Sequence, residues 1–232
     1  MPRPLVIAHR GDPFHSLENS LASIRSAMDL SVDMVEIDVR KSRDHGLFIM
    51  HDAMTGRTCE QNVHIERRTS QELAGIRLKN GESIPLLQDV LDLVQGRCGL
   101  NLEIKSDGAG ALTAQLLRSS MYKWPVLVSS FKEDELVGAR RIIPDLLLAK
   151  IFDVFTTRQV SSYVRRGYTV VSLNKRTVNE KLLAACRDKG LRVYVWTVDD
   201  ELEMTKFLFW GVDGMYSNRP GMLRHVLEQH LT

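Results

Sequence analysis

Short apolar runs alternate with amphipathic stretches from one end of the chain to the other. The runs span residues 5–8, 32–39, 99–105, 126–130, 146–151, 169–173, 191–196 and 212–216. Most are dense in Val, Ile and Leu rather than alternating with polar residues, as in parallel strands buried on both faces. Between them, Leu17, Leu21, Ile24 and Met28 fall on one helical face, with Ser16 placed as an N-cap. Leu87, Val90, Leu91 and Val94 repeat that spacing behind Pro85, and Leu182, Leu183 and Cys186 do so again ahead of the stop at Lys189-Gly190. Eight such alternations predict an α/β fold of the (β/α)8 TIM-barrel type; a doubly wound open sheet is the alternative that fits the same pattern. One region breaks the rhythm. Residues 52–84 are polar, hold Gly56, Gly75 and Gly81, and carry the charged run Glu66-Arg67-Arg68. They read as an insertion following a short extra strand at 47–51, within a single domain covering 1–232. There is no internal repeat beyond the strand–helix period and no low-complexity tract.

Two of the runs place charge where a buried strand should have none. In Val35-Glu36-Ile37-Asp38-Val39, side chains two apart share a face, so both carboxylates lie together opposite the three apolar residues. Their mutual repulsion calls for a cation or a proton. Leu102-Glu103-Ile104-Lys105 adds a third acid. In a barrel the C-terminal strand ends carry the chemistry. His9 follows the first run, Glu36 and Asp38 end the second, and Glu103 and Lys105 end the third. Trp196 ends the seventh, Asp213 sits in the eighth, and His51 follows the extra strand. A single acid there is equally well explained by an ion pair with a buried Arg or Lys; three acids and two histidines at one rim are not. Oxygen-only ligands suit one hard divalent cation, Mg²⁺ or Ca²⁺, and argue against structural zinc. Arg10 and Lys105 suit the remaining charge of a phosphodiester, and His9 and His51 suit acid–base work near neutral pH. Phe131 and Trp196 offer an apolar wall for a small substrate. The other histidines, His15, His45, His64, His225 and His230, are expected on the surface or in loops. No Gly-x-Ser-x-Gly elbow, Walker loop or dinucleotide fingerprint is present.

Composition narrows the classes without choosing among them. Apolar residues at 44% and charged residues at 26% are ordinary for a globular protein. A net charge of +2 with no Lys/Arg block gives no nucleic-acid surface. Three scattered cysteines, Cys59, Cys98 and Cys186, fit a reducing compartment better than a disulfide framework. No run reaches the ~20 residues of a membrane span. The first strand-like run starts within a few residues of Met1, which leaves no room for a signal peptide and predicts a cytoplasmic location.

Taken in order, the segments Ala8-His9-Arg10-Gly11, Leu17-Glu18-Asn19-Ser20, Val35-Glu36-Ile37-Asp38-Val39, Met50-His51-Asp52, Ile84-Pro85-Leu86, Leu102-Glu103-Ile104-Lys105, Ser129-Ser130-Phe131, Val195-Trp196-Thr197-Val198 and Val212-Asp213-Gly214 resemble the glycerophosphodiester phosphodiesterase family. The match runs over nearly the full length. The resemblance implies a TIM barrel that hydrolyses deacylated phospholipid headgroups to glycerol 3-phosphate and an alcohol such as choline or ethanolamine. It maps metal ligands onto Glu36, Asp38 and Glu103 and catalytic histidines onto His9 and His51. It further maps phosphate contacts onto Arg10 and Lys105, positions near the glycerol onto Phe131 and Trp196, and the family's small insertion onto residues 52–84. The partner is a small molecule; the oligomeric state, the metal and the division of labour between the histidines stay open. So does the nucleophile, water or the glycerol 2-hydroxyl. Four positions depart from the family pattern: Ser20 for Thr, Ser31 for Gly, and two in Ser217-Asn218-Arg219-Pro220, which stands for Thr-Asp-Arg-Pro. None is expected to touch the ligands or histidines. Two rival readings are a phospholipase D-like enzyme for lysophospholipid or sphingomyelin, which needs an apolar or membrane-docking rim, and a binding barrel without catalysis, which the intact set of acids and histidines opposes.

Overall fold

The structure is a computed structural model that describes residues 3–120 and 122–231. The elements run β1 (Leu5–His9), α1 (Leu21–Asp29), β2 (Met34–Lys41), β3 (Leu47–Ile49), α2 (Ser70–Ala74), α3 (Leu87–Val94), β4 (Gly99–Ile104), α4 (Ala109–Ser119), β5 (Val126–Ser130) and α5 (Glu133–Ile142). They continue with β6 (Leu147–Phe152), α6 (Thr157–Arg165), β7 (Val170–Asn174), α7 (Glu180–Arg187), β8 (Arg192–Trp196), α8 (Glu201–Trp210), β9 (Gly214–Ser217) and α9 (Pro220–Leu231). β1 pairs in parallel with both β2 and β9, and each remaining barrel strand pairs with the next. The sheet is therefore a closed eight-stranded parallel barrel, and the open doubly wound sheet is excluded. β3 stands outside it, antiparallel to the projecting end of β2 through Val39↔Ile49.

The two faces of each strand do different work. Val35, Ile37, Val39, Leu100, Leu102 and Ile104 point outward into the layer beneath the helices. Ile7, Met34, Leu127, Ala149, Val170, Tyr194 and Tyr216 point inward and form a separate cluster in the lumen. Because side chains plug the lower barrel, a ligand has room only toward the C-terminal ends of the strands. Within the described residues, no helix is long and apolar enough to cross a membrane.

Three details differ from the sequence reading. First, α1 is capped by Ser20, whose Oγ accepts from the Ser23 amide, not by Ser16. Asn19 is left-handed, with φ +57°, which stops the helix from extending back to Leu17; Leu17 instead packs on the insertion. Second, Asp213 lies at the barrel's opposite end. It precedes β9, and its Oδ2 accepts from the Val193 amide at 2.8 Å, because the residue before a parallel strand sits at the N-terminal mouth. Third, the polar insertion has a core of its own, in which Phe48, Met50, Cys59, Ile65, Leu73, Ile76, Leu78 and Ile84 are packed together. Apart from Phe48 in β3 and Leu73 in the short α2, isolated bridges and short turns hold these residues, so their spacing follows no single helical or strand period. The insertion leans on the barrel rim, where Glu66 Oε1 accepts from Arg40 Nη1 at 3.0 Å and Ser106 Oγ at 2.6 Å.

Candidate active site

At the C-terminal end of the barrel is a cavity of about 240 Å³. Strand register assembles its acidic side. β2 and β4 pair with Asp38 beside Glu103 and Glu36 beside Asn101, and all four side chains face the lumen. Glu36, Asp38 and Glu103 each bring one carboxylate oxygen within 4.8 Å of the others. The chain turns sharply after β1, with Arg10 at φ +59° and Gly11 at φ +86°. A Cβ on Gly11 would collide with Ser23, so only glycine fits there. This turn aims the Arg10 amide at Glu36 Oε2, 2.9 Å away, and sets Arg10 Nε 3.3 Å from Asp38 Oδ2. Asn19 Nδ2 donates to the same Asp38 oxygen at 2.8 Å. Lys105 Nζ pairs with Glu103 Oε1 and lies 3.1 Å from Asp38 Oδ1.

The electrostatics of this cluster are unbalanced. Burial and the neighbouring Asp38 and Glu103 push the Glu36 carboxyl well above the usual carboxylate range. Burial and Asp38 raise Glu103 to about 7. Burial also opposes the charge on Asp38, but Lys105 and Arg10 outweigh it and hold that carboxyl at about 2. Glu36 Oε1 is buried without a hydrogen-bond partner, and the only cation beside Asp38 Oδ1 is Lys105. Three hard oxygen donors, one of them carrying an orphaned atom, fit a single divalent cation of the Mg²⁺ or Ca²⁺ type. The raised carboxyls also predict a pH signature. A proton is held on folded Glu103 up to about pH 7 but leaves the unfolded chain near 4.5. Its contribution to stability is therefore present at low pH and is lost as pH rises through that window. With chelator present, the melting temperature of the wild type is expected to fall relative to Glu103→Gln between pH 5 and 7.5. Parallel profiles for the two proteins would contradict the assignment.

The two candidate histidines sit in different surroundings. His9 closes β1, with Nε2 4.0 Å from Glu36 Oε2. Its Nδ1 lies 2.8 Å from Asn218 Oδ1. Asn218 is held in turn by Asp199, which accepts from the Asn218 amide and from Asn218 Nδ2, both at 2.7 Å. A carboxylate only accepts, so the side-chain nitrogen of Asn218 must face Asp199 and its oxygen must face His9. This fixes the proton on His9 Nδ1 and leaves a lone pair on Nε2. Burial, with Arg10 beside it, lowers the His9 pKa to about 4. Asn218 is one of the departures that the sequence reading kept clear of the histidines; the chain's return after β9 brings it into contact. His51, on the loop after β3, places Nδ1 2.6 Å from Asp52 Oδ1. Burial lowers its pKa as well, with Lys105 and Arg10 adding to the effect against Asp38 and Asp52. Arg57 bonds both Asp52 and Glu18, and Glu18 also accepts from Arg10. His15, His45, His64, His225 and His230 lie outside the cavity.

Phe131 and Trp196 meet edge to face at 5.8 Å at the mouth. Nine residues singled out from the sequence (His9, Arg10, Glu36, Asp38, His51, Glu103, Lys105, Phe131 and Trp196) thus converge on one mouth, and Asp213 alone of the rim candidates does not. Residues that the sequence reading passed over form the floor: Asn101, Ser172 and Tyr216. Asn101 was findable, being two residues before Glu103 on the same strand face. The contacts of Asn19, Asp199 and Asn218 were not, because each sits on a loop and meets a partner at least 19 residues away.

The chain matches the family model described as "Glycerophosphoryl diester phosphodiesterase family" over residues 9–222. The chain therefore belongs to that family and is an enzyme of the phosphoric diester hydrolase class. A glycerophosphodiester phosphodiesterase of Caldanaerobacter subterraneus subsp. tengcongensis is 28% identical, the alignment covering 98% of this chain and 99% of the relative. A lysophospholipase D of Mus musculus is 21% identical, covering 95% and 85%. Among solved structures, an Oleispira antarctica phosphodiesterase in complex with the product sn-glycerol-3-phosphate superposes with a TM-score of 0.90 at 25% identity, covering 97% of both chains.

Proposed function

We propose that this chain hydrolyses glycerophosphodiesters to glycerol 3-phosphate and an alcohol, with a divalent cation held by Glu36, Asp38 and Glu103 and proton transfer by His9 and His51. The observation that carries the reading is the buried acid cluster with its orphaned Glu36 oxygen, lying at one mouth with two histidines and the cations Arg10 and Lys105. The cation would supply Lewis-acid polarisation of a phosphoryl oxygen. Arg10 and Lys105 balance the remaining charge of the diester. His9, neutral and with Nε2 unprotonated, takes the proton of the attacking hydroxyl group. His51, backed by the Asp52 carboxylate, gives a proton to the departing alkoxide. Phe131 and Trp196 wall the mouth above the glycerol. The names of the bacterial relative and of the product-bound phosphodiesterase agree with this chemistry.

A second substrate class has one observation in its favour. Phe14 and Val154, on the loops after β1 and β6, are exposed apolar side chains at the catalytic end, as an acylated substrate would use. Release of glycerol 3-phosphate from glycerophosphocholine, abolished by EDTA and restored by Mg²⁺ or Ca²⁺, is the expected result. Turnover of lysophosphatidylcholine alone would favour the second class, and full activity in EDTA would overturn the metal assignment.

A further inference from the structure

We propose that the floor of the cavity is a hydroxyl-reading subsite in which Asn101 accepts a hydrogen bond from the terminal hydroxyl of the substrate's glycerol unit, so that the enzyme selects free glycerol over glycerol acylated at that position. The inference rests on the phosphodiester reading above and names what its lower cavity recognises.

Asn101 is 1% exposed and its Oδ1 has no hydrogen-bond partner, whereas its Nδ2 donates to Tyr216 Oη at 3.0 Å. Ser172 Oγ lies 2.8 Å from the same phenol oxygen. The three side chains come from β4, β9 and β7 and meet across the barrel, so the free acceptor sits on a braced platform. Beneath it Ile7, Met34 and Tyr194 fill the lumen, and nothing can pass deeper. An unpaired acceptor in such a place needs a donor. Asn101 lies two residues before Glu103 on the same face of β4, about 6.6 Å deeper along the strand. With the phosphorus held beside the acids, Arg10 and Lys105, a glycerol unit lying beneath the Phe131–Trp196 pair brings its carbon farthest from phosphorus down to this level. Its hydroxyl is a donor of the required kind. An ester there has no proton to give, and its acyl chain would run into Tyr216.

The test compares glycerophosphocholine with its analogue built on propane-1,2-diol, which keeps the 2-hydroxyl and lacks the terminal one, and with lysophosphatidylcholine. Wild type is expected to prefer glycerophosphocholine over both by tenfold or more in kcat/KM, since a site left with an unpaired buried acceptor rejects the deoxy compound. In Asn101→Ala the preference should shrink to about twofold through loss on the glycerol substrate alone. Tyr216→Phe, which retains the ring, should show a smaller loss of the same kind. Equal losses on glycerol and deoxy substrates would overturn the proposal, as would a changed cation requirement, which would place Asn101 with the acids. If wild type turns over none of the three diesters, it is the phosphodiester reading that fails; if it turns over all three equally, only the subsite does.

Discussion

His9→Ala and His51→Ala are each expected to lower kcat on glycerophosphocholine by about 10²- to 10⁴-fold, the usual range for loss of a positioned general acid or base. Both variants should stay folded. His51 sits half-buried on a loop, and His9 packs at a strand end where its loss frees only Asn218. A substrate with a p-nitrophenol leaving group separates the two roles. That phenolate departs without needing a proton, so the His51→Ala defect should shrink by an order of magnitude or more. The His9→Ala defect should persist, because the attacking hydroxyl still has a proton to lose. The reverse pattern would exchange the roles. Near wild-type rates for both variants on glycerophosphocholine would remove them from the chemistry altogether. The geometry favours the first outcome. The amide of Asn218 cannot turn its nitrogen toward His9 without facing a carbonyl oxygen to Asp199, so the His9 lone pair is held on the side of the acids. His51 is bonded through Nδ1 to a carboxylate, which works against the lowering of its pKa by burial, Lys105 and Arg10 and so favours the protonated form an acid needs.

The barrel was legible because its signal is repetitive. Eight apolar runs buried on both faces, each followed by a helical face, leave few topologies, and closure through β1 decided between the two that remained. The acid cluster was legible for a different reason. Period-two geometry puts Glu36 with Asp38, and Asn101 with Glu103, on the lumen side whatever the register; register then brings the strands level. What stayed hidden depends on loops. Asp213 was grouped with the rim although it stands near the start of the run 212–216; the C-terminal end of β9 is Ser217, four residues further on. Asn218 looked remote because its contact to His9 joins positions at opposite ends of the chain. The insertion looked like a polar excursion because residues such as Cys59, Ile65 and Leu78 are buried by turns rather than by periodic elements.

Saturating Mg²⁺ or Ca²⁺ should raise the melting temperature of the wild type, and Glu36→Gln should abolish that rise while making the cation-free protein more stable. The first half is linkage: a ligand at a hundred times its Kd stabilises the folded state by about 2.7 kcal/mol, or roughly 5–11 °C for a chain of this size. The second half follows from the cluster itself. At pH 8 without a cation, three carboxylates share a buried site with two basic side chains, and Glu36 is the one whose charge is most disfavoured, by burial and by Asp38 and Glu103. Glutamine keeps an oxygen for the Arg10 amide and sheds the charge, so the repulsion goes and the packing stays. The same change removes a cation ligand. Stability without cation and affinity for cation should therefore move in opposite directions in one variant, a pattern that a purely structural ion-pair network does not produce. Such a network would instead lose stability on Glu36→Gln, because Arg10 and Lys105 would be left with less negative charge to pair with. A lower melting temperature for the chelated variant, or a cation response equal to that of wild type, would assign Glu36 to holding Arg10 and Lys105 in place and leave the site without its metal.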